Sequence, residues 1–405
     1  MKKWIHYGKC ALCLLVTVLL LLLVYGFLTV PDTISRTQSD PIARSIYTLT
    51  PVTAQQPSAD RQGTAYDALV KLFSSIPVKR TRLQLSEQRL VALGGEIFGL
   101  RLYTSGVIVV SIEPVQTQNG AVFPAKKAGI RAGDIILRVD GAPVYSHAQF
   151  SALLADAQGE PLRLSYLRDG KENEAQFEAA YSAVYNRYMA GLWVRDSAAG
   201  IGTMTFYLPE SGVYAGLGHA VCDVDTGEIM PLYNGDVVAA QLHGCKKGAP
   251  GQAGELRGSF AGDRIGSLLL NQENGVYGVL DQTDSSTSTV PVAWEQDVAP
   301  GNAQILSTID SGGVQRFAAE IEKVMPNDGE DRNLVIRITD ERLLQTTGGI
   351  VQGMSGSPIL QNGQLVGAVT HVFINDPTRG YGIFAQTMLR QCAVIEENEI
   401  TNTKS

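Results

Sequence analysis

Basic charge is in short supply in this 405-residue chain: 33 Lys and Arg stand against 40 Asp and Glu, for a net charge of −7. Phosphate binding needs a basic footprint, so nucleic acid is excluded as a partner. Cysteine is equally scarce, with five in all. Cys10 and Cys13 fall at or inside an apolar run, which leaves Cys222, Cys245 and Cys392. Three thiols allow at most one internal disulfide, and none of the three falls in a C-x-x-C pair or a zinc-type spacing. No metal site and no cofactor is expected. Histidine is limited to five residues, which narrows the choice of any catalytic base. Long amphipathic helices are also missing; the one stretch past residue 189 that reads as helical is Gln315–Val324. No internal repeat is visible.

Charge is absent altogether from Cys10 to Pro31, and Leu12–Leu28 is nearly all apolar. That length suits a bilayer-spanning helix. Lys2, Lys3 and Lys9 precede it, and no small-residue A-x-A cleavage pattern comes after Val30. A signal anchor is therefore expected over residues 1–32, with the N-terminus cytoplasmic and the remainder outside. Residues 33–85 are rich in Pro, Ser, Thr and Gln and read as a polar linker exposed to cleavage, with a short helix at Tyr66–Phe73.

Glycine is plentiful, at 42 residues, and punctuates the rest of the chain. Residues 86–185 carry "AGIRAGDIILRVDG", a helix "SHAQFSALLADA" with Ser146 as its cap, and a strand pair turning at Asp169–Gly170. This block resembles a PDZ domain of the type found with bacterial proteases. Such domains bind peptides by strand addition. The resemblance implies a carboxylate loop near Gly95, Phe98, Gly99 and Leu100. From residue 186 to 405 short strands alternate with Gly turns, as in a β-barrel or sandwich, and the length suits two small barrels.

Within that region "GGIVQGMSGSPIL" holds four glycines, and two of them lie with a proline between apolar stretches. A plain strand does not tolerate this, but a serine nucleophile needs such a sharp turn. The G-x-S-G-x-P stretch resembles the nucleophile loop of chymotrypsin-like serine proteases. Ser355 is then the nucleophile, and the N–H groups of Gly353 and Ser355 form the oxyanion hole. Of the histidines, His6 is cytoplasmic and His147 lies in the PDZ-like block, leaving His219, His243 and His371. His219 sits in a Gly-flanked turn, "AGLGHAVCDVDTG", and precedes the serine as the chymotrypsin order requires. His243 is the less favoured base. For the acid, Asp236, Asp263, Asp281 and Asp297 fall where barrel topology would place it.

The combination of apolar anchor, polar linker, PDZ-like block, "GLGHAVCDVDTG" and "GGIVQGMSGSPILQNGQLVGAVTHVFINDPTRGYGIF" resembles the sporulation stage IV protein B (SpoIVB) peptidases of endospore-forming bacteria. The fold class implied is mainly β: a chymotrypsin-like double β-barrel preceded by a PDZ domain and an N-terminal transmembrane helix. The resemblance implies a membrane-anchored serine endopeptidase of the forespore membrane, acting in the intermembrane space. Its implied partners are peptide and protein substrates, including a membrane-bound regulatory complex of an intramembrane protease that matures sigma-K, the membrane, and itself. Self-cleavage would release a soluble form. The resemblance points to Asp340 as the acid and to His371 as either a cleft residue or a structural one. Cys222 departs from the pattern, where serine or another small residue is expected. Competing readings are an inactive binding scaffold and a hydrolase using Cys222 or Cys392.

Overall fold

The computed structural model describes residues 2–30, 33–36, 47–51, 58–60, 63–326 and 331–402. They divide into two compact units. One comprises the chain up to Arg89 together with Ala293–Val298; the other comprises Leu90–Val292 and the chain from Ala299 onward.

The first unit begins with a helix, Lys2–Thr29, whose Cys10–Leu28 stretch has a mean hydropathy of 2.9 and is long and apolar enough to cross a membrane. The polar segment after it is not the unpacked linker that composition suggests. Strands Thr33–Arg36, Ile76–Leu85, Gly63–Leu72 and Tyr47–Pro51 lie side by side in that order, with Ser58–Asp60 also paired to Gly63–Leu72. Tyr66–Phe73 is thus largely strand rather than helix. Ala68, Val70 and Leu72 are buried on alternate positions, which is the two-residue period of a sheet. Residues 37–46, 52–57, 61 and 62 of the expected linker lie outside the described residues.

The second unit is built on two rings of antiparallel strands. The first contains β1 (Ile97–Ile112), β2 (Leu192–Tyr207), β3 (Val213–Gly216), β4 (Leu232–Lys246), β5 (Glu255–Gln272) and β6 (Gly275–Leu280). Neighbours run β1–β4–β5–β6–β3–β2, and β2 pairs back to β1, closing the ring. The second is a closed barrel of β7 (Gly301–Thr308), β8 (Val314–Val324), β9 (Leu334–Ile338), β10 (Pro358–Gln361), β11 (Gln364–Phe373) and β12 (Asp376–Phe384). The stretch expected to be helical at Gln315–Val324 is therefore strand β8. Phe317, Ala319 and Ile321 are buried while Arg316 and Ala318 are exposed, again a period of two. A final helix, Ala385–Asn402, buries Met388, Cys392 and Ile395 in a cluster shared with both barrels.

The later part of the PDZ-like block, from Ile135 to Phe177, matches its sequence reading. Its strands Ile135–Val139, Leu162–Arg168 and Lys171–Phe177 form one sheet, and its helix His147–Ala157 starts at Ser146, whose Oγ accepts from the Gln149 N–H. The turns at Asp140–Gly141 and Asp169–Gly170 each place two successive residues at positive φ, the geometry of a two-residue hairpin. Its core includes Ile130, Ile136, Val139, Phe150, Leu154, Leu164 and Phe177, together with Val107 and Val109 of β1. β1 thus serves two cores. Its first half carries Phe98, Leu100 and Leu102 into the first barrel, and its second half pairs with Ile135–Val139. The block leaves and re-enters the barrel at one point, where the Glu113 N–H donates to the Gly191 carbonyl at 2.9 Å.

Candidate active site

The serine turn is fixed by close approach. Gly353 has φ of +95° and Gly356 of +94°. A Cβ on Gly356 would lie 1.9 Å from the Thr203 carbonyl oxygen, so no side chain fits there. Strand β2 supplies the grip. The Thr203 N–H donates to the Ser355 carbonyl at 3.0 Å, Thr203 Oγ1 to the Gly353 carbonyl at 2.7 Å, and Thr205 Oγ1 to the Gly356 carbonyl at 2.8 Å. Among the described residues, no main-chain acceptor takes the N–H of Gly353 or of Ser355. Two donors are thus left without a main-chain partner, as an oxyanion hole requires. Ser355 Oγ itself donates to the Thr370 carbonyl at 2.7 Å.

His219 lies just after β3, beyond a turn with Leu217 and Gly218 at positive φ. That turn packs on the second barrel: a Cβ on Gly218 would meet Thr370 Cγ2 at 2.9 Å. Nδ1 of His219 lies 2.8 Å from the Ala220 carbonyl. A carbonyl only accepts, so Nδ1 carries the proton and Nε2 keeps its lone pair, the tautomer a general base needs. Burial holds this imidazole below its usual pKa, while the Ala220 carbonyl and the Asp331 charge recover part of the loss. Among the described residues, Ser355 Oγ and His219 make no hydrogen bond to each other, although Ser355 Oγ and Gly218, the neighbour of His219, both meet Thr370.

Beside them stands a residue to which the sequence assigned only a secondary role. The ring of His371 lies 4.8 Å from that of His219, tilted by 37°. Its Nδ1 is buried without a hydrogen-bond partner, 3.6 Å from Asp331 Oδ2. Burial first, then the neighbouring His219, lowers its pKa to about 4, against the opposing pull of Asp331.

Asp340 is not brought to this cluster. It is the N-cap of helix Glu341–Thr347: one carboxylate oxygen accepts from the N–H groups of Arg342 and Leu343, the other from the Ala318 N–H and Arg342. Burial opposes its charge, but the hydrogen bonds from Arg342 and from the Ala318 and Leu343 N–H groups outweigh it and hold the carboxyl below its usual pKa. Both oxygens of Asp340 thus have partners in and beside its own helix, and His219 is not among them. Asp236 and Asp281 share Arg264, Asp263 is exposed, and Asp297 belongs to the other compact unit. Asp223 is buried, ion-paired with Arg195 and bonded by the Thr226 N–H and Oγ1, so "DVDTG" is a braced turn and not part of the pair. His243 is on the exposed ribbon of β4 and β5, with Nε2 2.7 Å from Ser259 Oγ. His147 is exposed at its helix start, next to Asp196. Among the described residues, Cys222, Cys245 and Cys392 form no disulfide.

The residues assigned to a PDZ carboxylate loop are also elsewhere. Phe98, Gly99 and Leu100 belong to β1 and are laddered on both sides, to β2 and to β4. Gly95 precedes the strand and donates its N–H to the Met204 carbonyl. With both ladder edges filled and Phe98 buried, this stretch has no free edge for a peptide. Thr203, Thr205 and Thr370 were missed in the sequence. Their signal is faint: polar residues at buried positions of otherwise apolar strands.

The SpoIVB peptidase S55 sequence profile matches residues 186–389, half of the chain, and a PDZ domain profile matches residues 84–178. The chain belongs to the SpoIVB peptidase S55 family. Individual relatives of this S55 chain match over short stretches. A regulator of sigma-E protease, RseP, of Salmonella typhimurium is 42% identical over 59 residues, 15% of this chain and 13% of that protein. The magnetosome formation protease MamE of Paramagnetospirillum magneticum is 39% identical over 84 residues, 20% of this chain and 10% of that protein. The S55 chain thus spans about a tenth of the length of these curated relatives. Among solved structures, the Rv3671c protease of M. tuberculosis in its active form aligns at 17% identity and a TM-score of 0.31, over 48% of this chain and 74% of that one. At that score the double barrel rests on the strand pairing of this chain itself.

Proposed function

We propose that this S55-family protein is a serine endopeptidase with Ser355 as nucleophile and His219 as general base. The observation that carries the reading is the pair of N–H groups on Gly353 and Ser355 left without a main-chain acceptor, in the Ser355 turn that the Gly356–Thr203 contact locks. As a substrate carbonyl enters, Oγ leaves the Thr370 carbonyl, bonds to the carbonyl carbon and passes its proton to His219 Nε2. The oxyanion collects the two N–H groups, and Nε2 returns the proton to the departing amine. The absence of a Ser355–His219 bond favours a second reading, an inactive scaffold. A fluorophosphonate probe separates the two: labelling of the wild type that disappears in Ser355→Ala supports the peptidase, and labelling that persists in Ser355→Ala overturns it.

On this reading the apolar helix Lys2–Thr29 anchors the protein in the forespore membrane in a single pass, with the barrels in the intermembrane space. The substrates are then peptide segments of membrane-bound regulatory proteins in the signal that leads to pro-sigma-K processing, presented with help from the PDZ domain. The tether also makes the chain its own neighbour at high effective concentration, which favours self-cleavage and release of a soluble form. A paired strand must open before a protease can use it, so the cut is expected outside strands Gly63–Leu72 and Ile76–Leu85. Expressed in membranes, the wild type should shorten while Ser355→Ala stays full length; trimming of purified Ser355→Ala at the same bond would exclude self-processing.

A further inference from the structure

We propose that a pocket on the PDZ-like block holds the anionic headgroup of a membrane phospholipid, a second and weaker hold on the bilayer besides the apolar helix. This rests on the reading of Lys2–Thr29 as a membrane anchor and not on the assignment of Ser355 and His219. The cavity has a volume of about 510 Å³. Its lining includes Ile112, Phe123 and Ile130, which are apolar, and Lys126 and Arg131, which are cationic. Ile130 is buried, but Phe123 is 44% exposed and its neighbour Val122 is 40% exposed. A Cβ on Gly129, also in the lining, would meet no atom within 4 Å, so the wall borders open space there.

The charge at this cavity opposes that of the chain, which is −7 overall. The other ions nearby are already balanced. Asp134 is buried and held by Arg168, whose Nη2 also donates to the Gly129 carbonyl at 2.8 Å. Lys127 pairs with Glu178 at 3.0 Å. The acid next in sequence to the lining, Glu113, accepts from Ser111 Oγ at 3.1 Å. Lys126 and Arg131 are exposed, and among the described residues their side chains have no hydrogen bond and no ion pair. Two unbalanced cations beside an apolar wall suit one ligand class, an anion joined to a hydrocarbon chain. The cations take the phosphate, while Phe123 and Val122 cover the first methylenes.

This site is separate from any strand addition. Ile112 is laddered to Leu192, and residues 123–132 form the short helix Pro124–Lys127 and turns. A ligand here is held by side chains and not by main-chain pairing. Two cations alone bind weakly. On a chain already tethered to a bilayer, however, headgroups are present at high effective concentration, and two holds combine. The pocket then fixes which side of the block meets the membrane.

The test uses the full chain in nanodiscs, either of phosphatidylcholine alone or of phosphatidylcholine with an equal share of phosphatidylglycerol, read by hydrogen exchange. In the anionic discs exchange over residues 120–134 should be slower by about 3- to 10-fold than in the neutral ones. High salt should remove the difference. Lys126→Gln and Arg131→Gln should each cut the slowing, to the extent of about a fivefold loss of headgroup affinity, and the double variant should abolish it. Lys127→Gln, whose ammonium is already paired, should change little. Unaltered exchange over residues 135–177 in each variant checks folding. Equal slowing in both kinds of disc, or slowing that survives in the double variant, would overturn the proposal. So would slowing produced in neutral discs by glycerol phosphate or by an acidic peptide, since the site would then serve a free anion or a protein. Should the chain fail to stay with the discs at all, the anchor reading fails first, and the two failures are distinct.

Discussion

The two barrels carry comparable rings of six strands but are assembled differently. The second uses one continuous stretch, Gly301–Phe384, and most of its pairings join neighbours in sequence, such as β7 with β8 and β11 with β12. The first takes β1 from before the PDZ-like block and closes it against β2 from after it. Its ring therefore depends on contacts across the whole block, whereas the second depends mainly on hairpins. The chemistry is split along the same line: His219 comes from the first barrel, and Ser355, Thr370 and His371 from the second. Whatever disturbs the closure of β1 on β2 should loosen the grip of Thr203 on the serine turn as well, because Thr203 lies on β2.

That difference is tested most severely by deletion. Removing Arg89–Ala180 takes away β1, so the first barrel should fail to fold and probe labelling should vanish. Replacing only residues 114–190 by a short turn should leave a folded, labelled protein, since Glu113 and Gly191 are already hydrogen-bonded neighbours. Circular dichroism and probe labelling of the two deletions decide whether the block is a plug-in or a necessary wedge.

At the contact between the barrels, Gly356→Ala drives a Cβ into the Thr203 carbonyl at a positive φ. A loss of about 3 kcal/mol or more is expected from overpacking and left-handed strain together. Gly363→Ala also has a positive φ, +78°, but open space around it, and should cost about 1 to 2 kcal/mol. Equal melting shifts for the two would show that backbone strain, and not the inter-barrel contact, governs the turn.

Within the first barrel, Phe98→Ala should cost about 3–5 kcal/mol, as for other buried aromatic truncations. If the residue instead served a peptide groove, stability would hardly change and peptide binding would fall.

The smallest effect belongs to the second barrel. Asp340→Ala should cost about 1 kcal/mol through loss of a helix cap, with kcat little altered. Because the folded carboxyl sits below its usual pKa, its contribution is present above the unfolded value of about 3.9 and fades as pH falls through the folded value. The stability difference between wild type and Asp340→Ala should therefore be full at pH 7 and shrink in acid. A large fall in turnover with stability intact would return Asp340 to the active site.

The parts legible in the sequence are those with local causes. Gly353, Ser355 and Gly356 announce a turn by composition, His219 stands out because histidines are few, and the PDZ-like block is spelled by its turns and a capped helix. Strand β8 and the hairpin Gly63–Leu72 with Ile76–Leu85 carried a two-residue alternation that propensity and polar composition concealed. The partner of β1 is distant in the chain, so no local pattern points to it. Asp340 illustrates an ambiguity of type: "TDERLLQTTGG" has an aspartate before a short helical run and glycines after it, which is as much a cap signal as a catalytic one. Asp331 had no signal beyond its charge, since the histidine it faces is far along the chain.

Strand β1 also constrains how such a protein can change over generations. It is unbroken from Ile97 to Ile112, with Phe98, Leu100 and Leu102 read by one core and Val107 and Val109 by another. A substitution in the middle of it is judged twice, by a peptidase ring and by a recognition module. The two cannot drift in sequence as freely as domains joined by a tether, and a foreign PDZ domain grafted at the domain boundary would bring its own strand into competition with this one. Exchange of modules is simplest where the chain already touches itself, between Glu113 and Gly191, because a graft there leaves β1 in its original hands.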